Sequence, residues 1–125
     1  MVLLGLGDLI SDMAQRYPKK IALIHGNKRV TYKELDERTN RLANAFLKEL
    51  QLKKGDHVGI LLYNCIEYVE IYIACYKCGA AGFGINYRYR ENEVTYIMNQ
   101  SKAKVFIIGE DFLHLVNNCK DKFEF

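Results

Sequence analysis

The sequence lacks any apolar run long enough to cross a membrane, since such a span needs about 18 consecutive apolar residues. The apolar opening, residues 1–7, has neither a preceding basic segment nor a small-residue cleavage site, so we expect no signal peptide. Four cysteines in 125 residues are few for a disulfide scaffold. These absences favour a chain that works in the reducing cytoplasm.

A large excess of charge of either sign is also missing. Lys and Arg number 18 against 15 Asp and Glu, which gives a net charge of +3. The cations are spread along the chain and form no dense basic stripe of the kind that binds nucleic acid, so we expect no nucleic-acid partner. Apolar residues at 50% and charged residues at 26% are ordinary for a globular protein, and the length suits one domain.

The beginning of the chain reads as a helix followed by a β-hairpin. Apolar residues recur at helical spacing over residues 6–17, with Asp8 placed to cap the helix and Pro18 to stop it. Two short strands, residues 21–24 and Lys28–Thr31, flank a His-Gly-Asn turn.

A second helix is predicted over residues 32–50. Thr31 and Glu34 have the spacing of a capping box, in which each side chain binds a free backbone N–H of the other residue. The sequence Lys-Lys-Gly-Asp at residues 53–56 should close this helix, because cations favour a helix C-terminus and Gly-Asp favours a turn.

From residue 58 the pattern alternates strand, helix, strand, helix, strand. Strands are predicted at residues 58–62, 81–85 and 104–108, and helices at residues 64–78 and 91–100. The first of these helices, capped by Asn64 and Glu67 and ended by Gly79, is apolar on nearly every side and should be mostly buried. Right-handed crossovers predict one parallel sheet of an α/β fold. Residues 112–125 start like another helix and stop among charges, so the sheet reads as incomplete.

The C-x-x-C pair Cys75 and Cys78 has a structural and a chemical interpretation. A zinc site needs a second pair of ligands, yet Cys119 is isolated, Cys65 lies on the same helix, and His114 has no ligand partner nearby. A redox pair usually opens a helix, whose dipole lowers the thiol pKa, whereas this pair closes one. We therefore expect both cysteines to pack in the core without a metal.

Gly79, Gly82 and Gly84 lie across a helix-to-strand junction. A dinucleotide fingerprint runs in the opposite direction, from strand into helix, so that the helix N-terminus meets the pyrophosphate. The favoured interpretation is that these small residues let a neighbouring element approach the strand closely.

The segment Asn-Tyr-Arg-Tyr-Arg at residues 86–90 follows a strand end, where open α/β sheets bind ligands. Its arginines and tyrosines could stack on a base or clamp an anion. Alternatively the arginines pair with Glu91 and Glu93, which we favour because nothing else completes a nucleotide pocket. The three histidines are scattered, and no catalytic grouping can be argued from them: they are His25, His57 and His114.

Six segments resemble, in order and spacing, the beginning of the adenylate-forming family of acyl-CoA synthetases, luciferases and peptide-synthetase adenylation domains. They are RYP with IALI (residues 16–24), TYKEL (31–35), NRLANA (40–45), KGDHV (54–58), YKCGA through IN (76–86) and SKAKV (101–105). Two prolines usual in the family are replaced, by Ile66 and Gly84. The Asn-Tyr-Arg-Tyr segment is similar to the fatty- and aryl-acyl-CoA synthetase branch.

The resemblance implies that residues 1–125 are the N-terminal portion of a large AMP-binding domain. In the family, the phosphate-binding loop ending in Pro-Lys-Gly, the ribose-binding Asp, the adenine pocket and the adenylation Lys all lie downstream. The parent enzyme would use ATP, Mg²⁺ and coenzyme A to convert a fatty or aryl carboxylic acid to its acyl-CoA. We therefore assign no catalytic, cofactor-binding or metal-binding residue to this chain, and expect it to be inactive alone and to bind none of these cofactors.

A second function class is a stand-alone small α/β module that binds a ligand or partner without catalysis. A reading frame that continues into a Ser/Thr/Gly-rich loop would exclude it. If the chain is instead a portion of the larger domain, its uncovered apolar patches and open sheet edge should make it self-associate.

Overall fold

A computed structural model describes residues 5–124; the first four residues of the apolar opening and Phe125 lie outside this range. The elements are α1 (Leu6–Arg16), β1 (Ile21–His25), β2 (Lys28–Thr31), α2 (Tyr32–Lys48), β3 (His57–Leu61), α3 (Ile66–Cys78), β4 (Ala81–Gly84), α4 (Glu91–Ser101), β5 (Val105–Ile108) and α5 (Leu113–Asn117). Short 3₁₀ turns, Glu110–Phe112 and Lys120–Lys122, flank α5. No helix in the described range is long and apolar enough to span a bilayer.

The hairpin and the capping box of α2 are confirmed. Strands β1 and β2 pair antiparallel around a turn in which Gly26 adopts a φ of 60°. The Glu34 carboxylate accepts from the Thr31 backbone N–H at 2.8 Å, and Thr31 Oγ1 accepts from the Glu34 N–H at 3.2 Å. Both bonds satisfy N–H groups that a helix start leaves without a partner inside the helix.

Three sequence-based assignments of helix ends are wrong. Helix α1 starts after Gly5, and Asp8 accepts the Gly5 N–H at 2.9 Å from the third helical position instead of capping the start itself. Helix α3 begins after Cys65, one residue beyond Asn64. Helix α2 ends at Lys48, and residues 53–56 instead form the turn into β3, where Asp56 accepts the Lys53 N–H at 2.7 Å.

The parallel sheet is confirmed, with strand order β4-β3-β5 and both outer strands parallel to β3. Alternate side chains of β3 enter two apolar clusters. Ile60 belongs to the cluster that contains Phe46 of α2 and Ala74 of α3. Leu61 belongs to the cluster on the other face, with Met98 of α4 and with α5. Helices therefore cover both faces of the sheet.

The glycines of β4 allow α3 to lie directly on the strand, as predicted. A Cβ at Gly82 would stand 3.3 Å from Cys75 Sγ, and one at Gly84 would collide with the hydroxyl of Tyr68. Gly79 ends α3 with a left-handed φ of 79°, which few other residues adopt without strain.

A polar network joins the first three helices. The Asp36 carboxylate of α2 accepts from Ser11 Oγ of α1 at 2.7 Å and from Lys77 Nζ of α3 at 2.6 Å. Lys77 also donates to Asn40 Oδ1 at 2.8 Å. Burial raises the pKa of Asp36, but the hydrogen bonds from Lys77 and Ser11 and the charge of Lys77 outweigh it, so the pKa lies below its usual value. The network fixes α1 against α2 and α3.

A second ion pair links α2 to α3. Arg38 donates from Nε and Nη2 to the two carboxylate oxygens of Glu70 at 2.9 and 3.2 Å. Glu70 is only 6% exposed, so this bidentate contact supplies the charged partner that a buried carboxylate needs.

Candidate functional site

The topology of the sheet creates a crevice at the carboxyl ends of its strands. The chain leaves the central strand β3 toward α3 on one face, whereas it leaves β4 and β5 toward α4 and α5 on the other face. Connections that depart to opposite faces from neighbouring strands leave an opening between them, and open α/β sheets bind ligands there.

Three aromatic rings meet in this crevice, one from beyond the end of each strand. Tyr63 follows β3, Tyr87 follows β4 and Phe112 follows β5. The centroid of the Tyr63 ring lies 5.2 Å from that of Tyr87 and 4.9 Å from that of Phe112. Phe112 is buried in the cluster beneath α4, so the row of rings leads from the core to the surface.

Two arginines stand beside these rings. The guanidinium carbon of Arg88 lies 5.6 Å from the centroid of the Tyr87 ring, a cation–π distance. Asn86 Oδ1 accepts the Arg88 backbone N–H at 3.0 Å and so fixes the turn that presents this side chain. Arg88 and Arg90 line one cavity of about 400 Å³ together with Tyr63, Tyr87, Tyr89, Asp111, Phe112, His114 and Leu115.

The expected pairing of these arginines with Glu91 and Glu93 is wrong. Within residues 5–124 neither guanidinium forms an ion pair with an Asp or Glu side chain. The Glu93 carboxylate instead accepts the Arg90 backbone N–H at 2.9 Å, because Glu93 occupies the third position of α4. The pKa of Glu91 is lowered first by its own backbone N–H and then by Asn118, with Arg90 acting only through its charge.

The arrangement suits binding better than chemistry. Two guanidiniums without carboxylate partners can hold an anion, and the rings offer a surface on which a planar group stacks. The histidines are not brought together: His114 lines the cavity, whereas His57 Nδ1 contacts Ser101 O at 2.6 Å near the opposite ends of the strands, and His25 lies in the hairpin. No group of three His, Cys, Asp or Glu side chains that could hold a metal occurs in the described part of the chain.

The packing role of the C-x-x-C pair is confirmed for its first member. Cys75 is fully buried between α3 and the sheet, and burial, followed by the influence of Cys78, raises its thiol pKa to about 12. Cys78 is half-buried and donates to the Cys75 carbonyl at 3.5 Å. Burial also raises the pKa values of Cys65 and Cys119, so these thiols too stay protonated at neutral pH.

Sequence reasoning singled out the loop at residues 86–90 but missed Tyr63 and Phe112. Both follow the carboxyl end of a predicted strand, and that position is a usable signal, because such ends share one edge of a parallel sheet. Their mutual contact depends on the order β4-β3-β5, which a linear pattern does not contain.

Comparison with known proteins connects this fold to a family. The sequence model for the AMP-binding enzyme family matches residues 10–124. The chain is 43% identical over 104 residues to 3-oxocholest-4-en-26-oate–CoA ligase of Rhodococcus rhodochrous, a match that covers 83% of this chain and 19% of that protein. It is 34% identical over 121 residues to 2,3-dihydroxybenzoate-AMP ligase of Bacillus subtilis (strain 168), covering 93% of this chain and 22% of that protein. The chain thus spans about a fifth of the length of these relatives.

Solved structures agree. The fold superimposes on an anthranilate CoA ligase in complex with anthranoyl-AMP with a TM-score of 0.92 at 26% identity, covering 99% of this chain and 24% of that one. It superimposes on the N-terminal domain of FACL13 from Mycobacterium tuberculosis with a TM-score of 0.89 at 28% identity, covering 94% and 30% of the two chains. The resemblance carried by the six ordered motifs is confirmed, and the chain belongs to the AMP-binding enzyme family.

Proposed function

We propose that residues 1–125 are the N-terminal portion of the large domain of an AMP-forming acyl-CoA ligase. The 43% identity to a CoA ligase over 83% of the chain carries this proposal. The two relatives described above are named as ligases for carboxylic acids, one for 3-oxocholest-4-en-26-oate and one for 2,3-dihydroxybenzoate. Neither of them favours the stand-alone binding module.

The proposed reaction has two steps. A carboxylate oxygen of the acid attacks the α-phosphorus of ATP, so that a new oxygen–phosphorus bond forms and pyrophosphate leaves. The coenzyme A thiol, having lost its proton, then attacks the acyl carbon and displaces AMP. Adenylation is needed because a carboxylate oxygen is a poor leaving group and AMP is a good one. The developing charge on phosphorus requires cationic and hydrogen-bonding groups around it.

In this proposal the described segment binds and does not react. Its crevice presents Arg88 and Arg90, without carboxylate partners, toward a phosphate-bearing substrate. As the resemblance implies, we assign the described residues no magnesium ligand. We therefore expect the 125-residue chain to be inactive alone, with the phosphate-binding loop and the adenylation Lys supplied by downstream sequence.

Pyrophosphate exchange into ATP tests the proposal in the full-length protein. A panel of acids should include a steroid side-chain acid, medium- and long-chain fatty acids and 2,3-dihydroxybenzoate. At least one acid should support exchange, and coenzyme A should then give the thioester and AMP. Failure of exchange with every acid would contradict the assignment. The 125-residue chain is the control and should support no exchange with any of them.

A further inference from the structure

The rings and the cation at the strand ends form one connected series of contacts. Phe112 packs against Tyr63 at 4.9 Å, Tyr63 against Tyr87 at 5.2 Å, and Tyr87 against the Arg88 guanidinium at 5.6 Å. Each ring comes from beyond a different strand of the sheet, so the series ties the exposed cation to the whole parallel core.

We propose that Tyr87 is a positioning residue whose ring holds the Arg88 guanidinium toward a phosphate group of the substrate. The proposal rests on the function proposed above and adds to it the part that orients the cation. Tyr87 itself is 47% exposed, so only its neighbours limit the motion of its ring. Tyr63 supplies that limit from one side, and Tyr63 is in turn supported by Phe112, which is 6% exposed in the core.

The backbone and the ring act on different parts of Arg88. The Asn86 side chain fixes the Arg88 backbone N–H at 3.0 Å, which sets the start of the side chain. The Tyr87 ring then contacts the guanidinium at the other end. A long arginine side chain loses rotamer freedom when it binds a ligand, and a side chain already held in place loses less.

Phosphate is the ligand chemistry that this geometry favours. The planar guanidinium group of an arginine can donate two parallel N–H bonds to two oxygens of one phosphate. The guanidinium groups of Arg88 and Arg90 both line the cavity. Asp111 lines the same cavity and offsets part of the positive charge of the two arginines, for a phosphate as for any other anion. Both ATP and coenzyme A carry phosphate groups, and the experiment must distinguish them.

The test compares Tyr87→Leu with Tyr87→Phe in the full-length protein. Leucine removes the ring, whereas phenylalanine keeps it and removes only the hydroxyl. An exposed cation–π contact corresponds to a factor of about two to five in affinity. Tyr87→Leu should therefore raise the KM for one phosphate-bearing substrate by about two- to fivefold with kcat little changed, and Tyr87→Phe should behave as the wild type. A rise in the KM for ATP or in that for coenzyme A identifies which substrate the cation meets.

Arg88→Ala should raise the same KM by more than Tyr87→Leu, and combining both changes should add little, because the ring acts through the guanidinium. The proposal would be overturned if Tyr87→Leu left both the KM for ATP and the KM for coenzyme A at their wild-type values. It would also be overturned if Tyr87→Leu and Tyr87→Phe changed the KM equally. If the wild type shows no pyrophosphate exchange, the proposed ligase function fails. Calorimetric titration with ATP and with coenzyme A then tests the positioning role alone: a Kd weakened by leucine and restored by phenylalanine supports it, and unchanged or absent binding overturns it.

Discussion

Cys75 shows how burial decides what a C-x-x-C pair does. Its thiol pKa of about 12 arises first from burial and then from Cys78, so the thiolate that binds metals or attacks disulfides is absent at neutral pH. The sequence indicated the same outcome, because the pair ends α3, where the helix dipole disfavours an anion. Here a local sequence position and the tertiary environment act in the same direction.

Replacing Cys75 with Ala should lower the free energy of unfolding by about 1–2 kcal/mol, because the sulfur fills space against Gly82 that alanine leaves empty. Urea unfolding measures this loss. Cys78→Ala is the matched control and should cost less, since Cys78 is only half-buried. Stoichiometric zinc in protein purified without added metal would contradict the packing role of the pair.

The stack of Tyr68, Tyr72 and Tyr76 along α3 gives a second prediction for a single residue. Burial, followed by a hydrogen bond with Tyr68, raises the pKa of Tyr72 from 10.0 to about 12. The folded state then holds this proton more tightly than the unfolded state. The stability that neutral Tyr72 contributes is complete below pH 10 and is lost as the pH rises toward about 12.

Tyr72→Phe should flatten this alkaline fall in stability, which unfolding curves at a series of pH values between 9 and 12 would show. Tyr76→Phe is the matched control at the exposed end of the same stack and should keep the fall. Identical pH profiles for wild type and Tyr72→Phe would contradict the assigned cause.

At the scale of elements, the sequence predicted which helices and strands exist better than where they end. Sequence patterns are local, so the helices α1 to α4 could be predicted mainly from the spacing of apolar residues and the strands β1 to β5 from short runs bounded by turn residues. Ends depend on which N–H groups remain unpaired and on where tertiary contacts turn the chain. Asp8, Asn64 and the turn at residues 53–56 were misplaced for this reason.

The contacts of the candidate site were even harder to predict from local sequence patterns than the helix ends. The loop at residues 86–90 was found because it follows a strand, but its arginines were expected to pair with nearby acids. The Glu93 carboxylate instead accepts the Arg90 backbone N–H at the start of α4. The guanidinium groups of Arg88 and Arg90 therefore have no acidic partner among the described residues. Proximity in sequence does not show which polar atoms a carboxylate satisfies first.

The contact between α1 and α3 gives a prediction for a pair of helices. A Cβ at Gly7 would stand 2.7–2.9 Å from Lys77, mostly from its backbone, so alanine must push the helices apart and strain the hydrogen bonds of Ser11 and Lys77 to Asp36. Overpacking of this kind typically costs about 1–3 kcal/mol. Thermal or urea unfolding of Gly7→Ala should show this loss.

Gly5→Ala is the matched control for this change, because its Cβ would meet only Asp8 Oδ2 at an ordinary 3.5 Å. Gly5 immediately precedes α1 and Gly7 lies in its first turn, so both variants replace a glycine with alanine near the same helix start. Equal stability of Gly7→Ala and wild type would show that α1 is not fixed closely on α3.

At the scale of the whole molecule, the parallel core is more complete than the sequence indicated. The sheet was expected to be incomplete, with uncovered apolar patches, yet α2 and α3 cover one of its faces and α4 and α5 the other. Exposed apolar side chains remain at several places, among them Leu6 (61% exposed) and Leu9 (48%) on α1 and Ile24 (60%) in the hairpin, and β4 and β5 are the edge strands of the parallel sheet. An amphipathic helix with its apolar side half in solvent lacks part of its expected packing.

We therefore expect the 125-residue chain to self-associate, because exposed apolar patches and open sheet edges favour pairing with a second copy. Light scattering at about tens of micromolar should give a mass above that of one chain. Leu9→Glu should lower this mass if the α1 surface drives association. Leu113→Glu, at a leucine of nearly equal exposure (49%) on α5, is the matched control and should leave it unchanged. A monodisperse wild-type monomer would contradict the prediction, and equal effects of the two variants would move the contact away from α1.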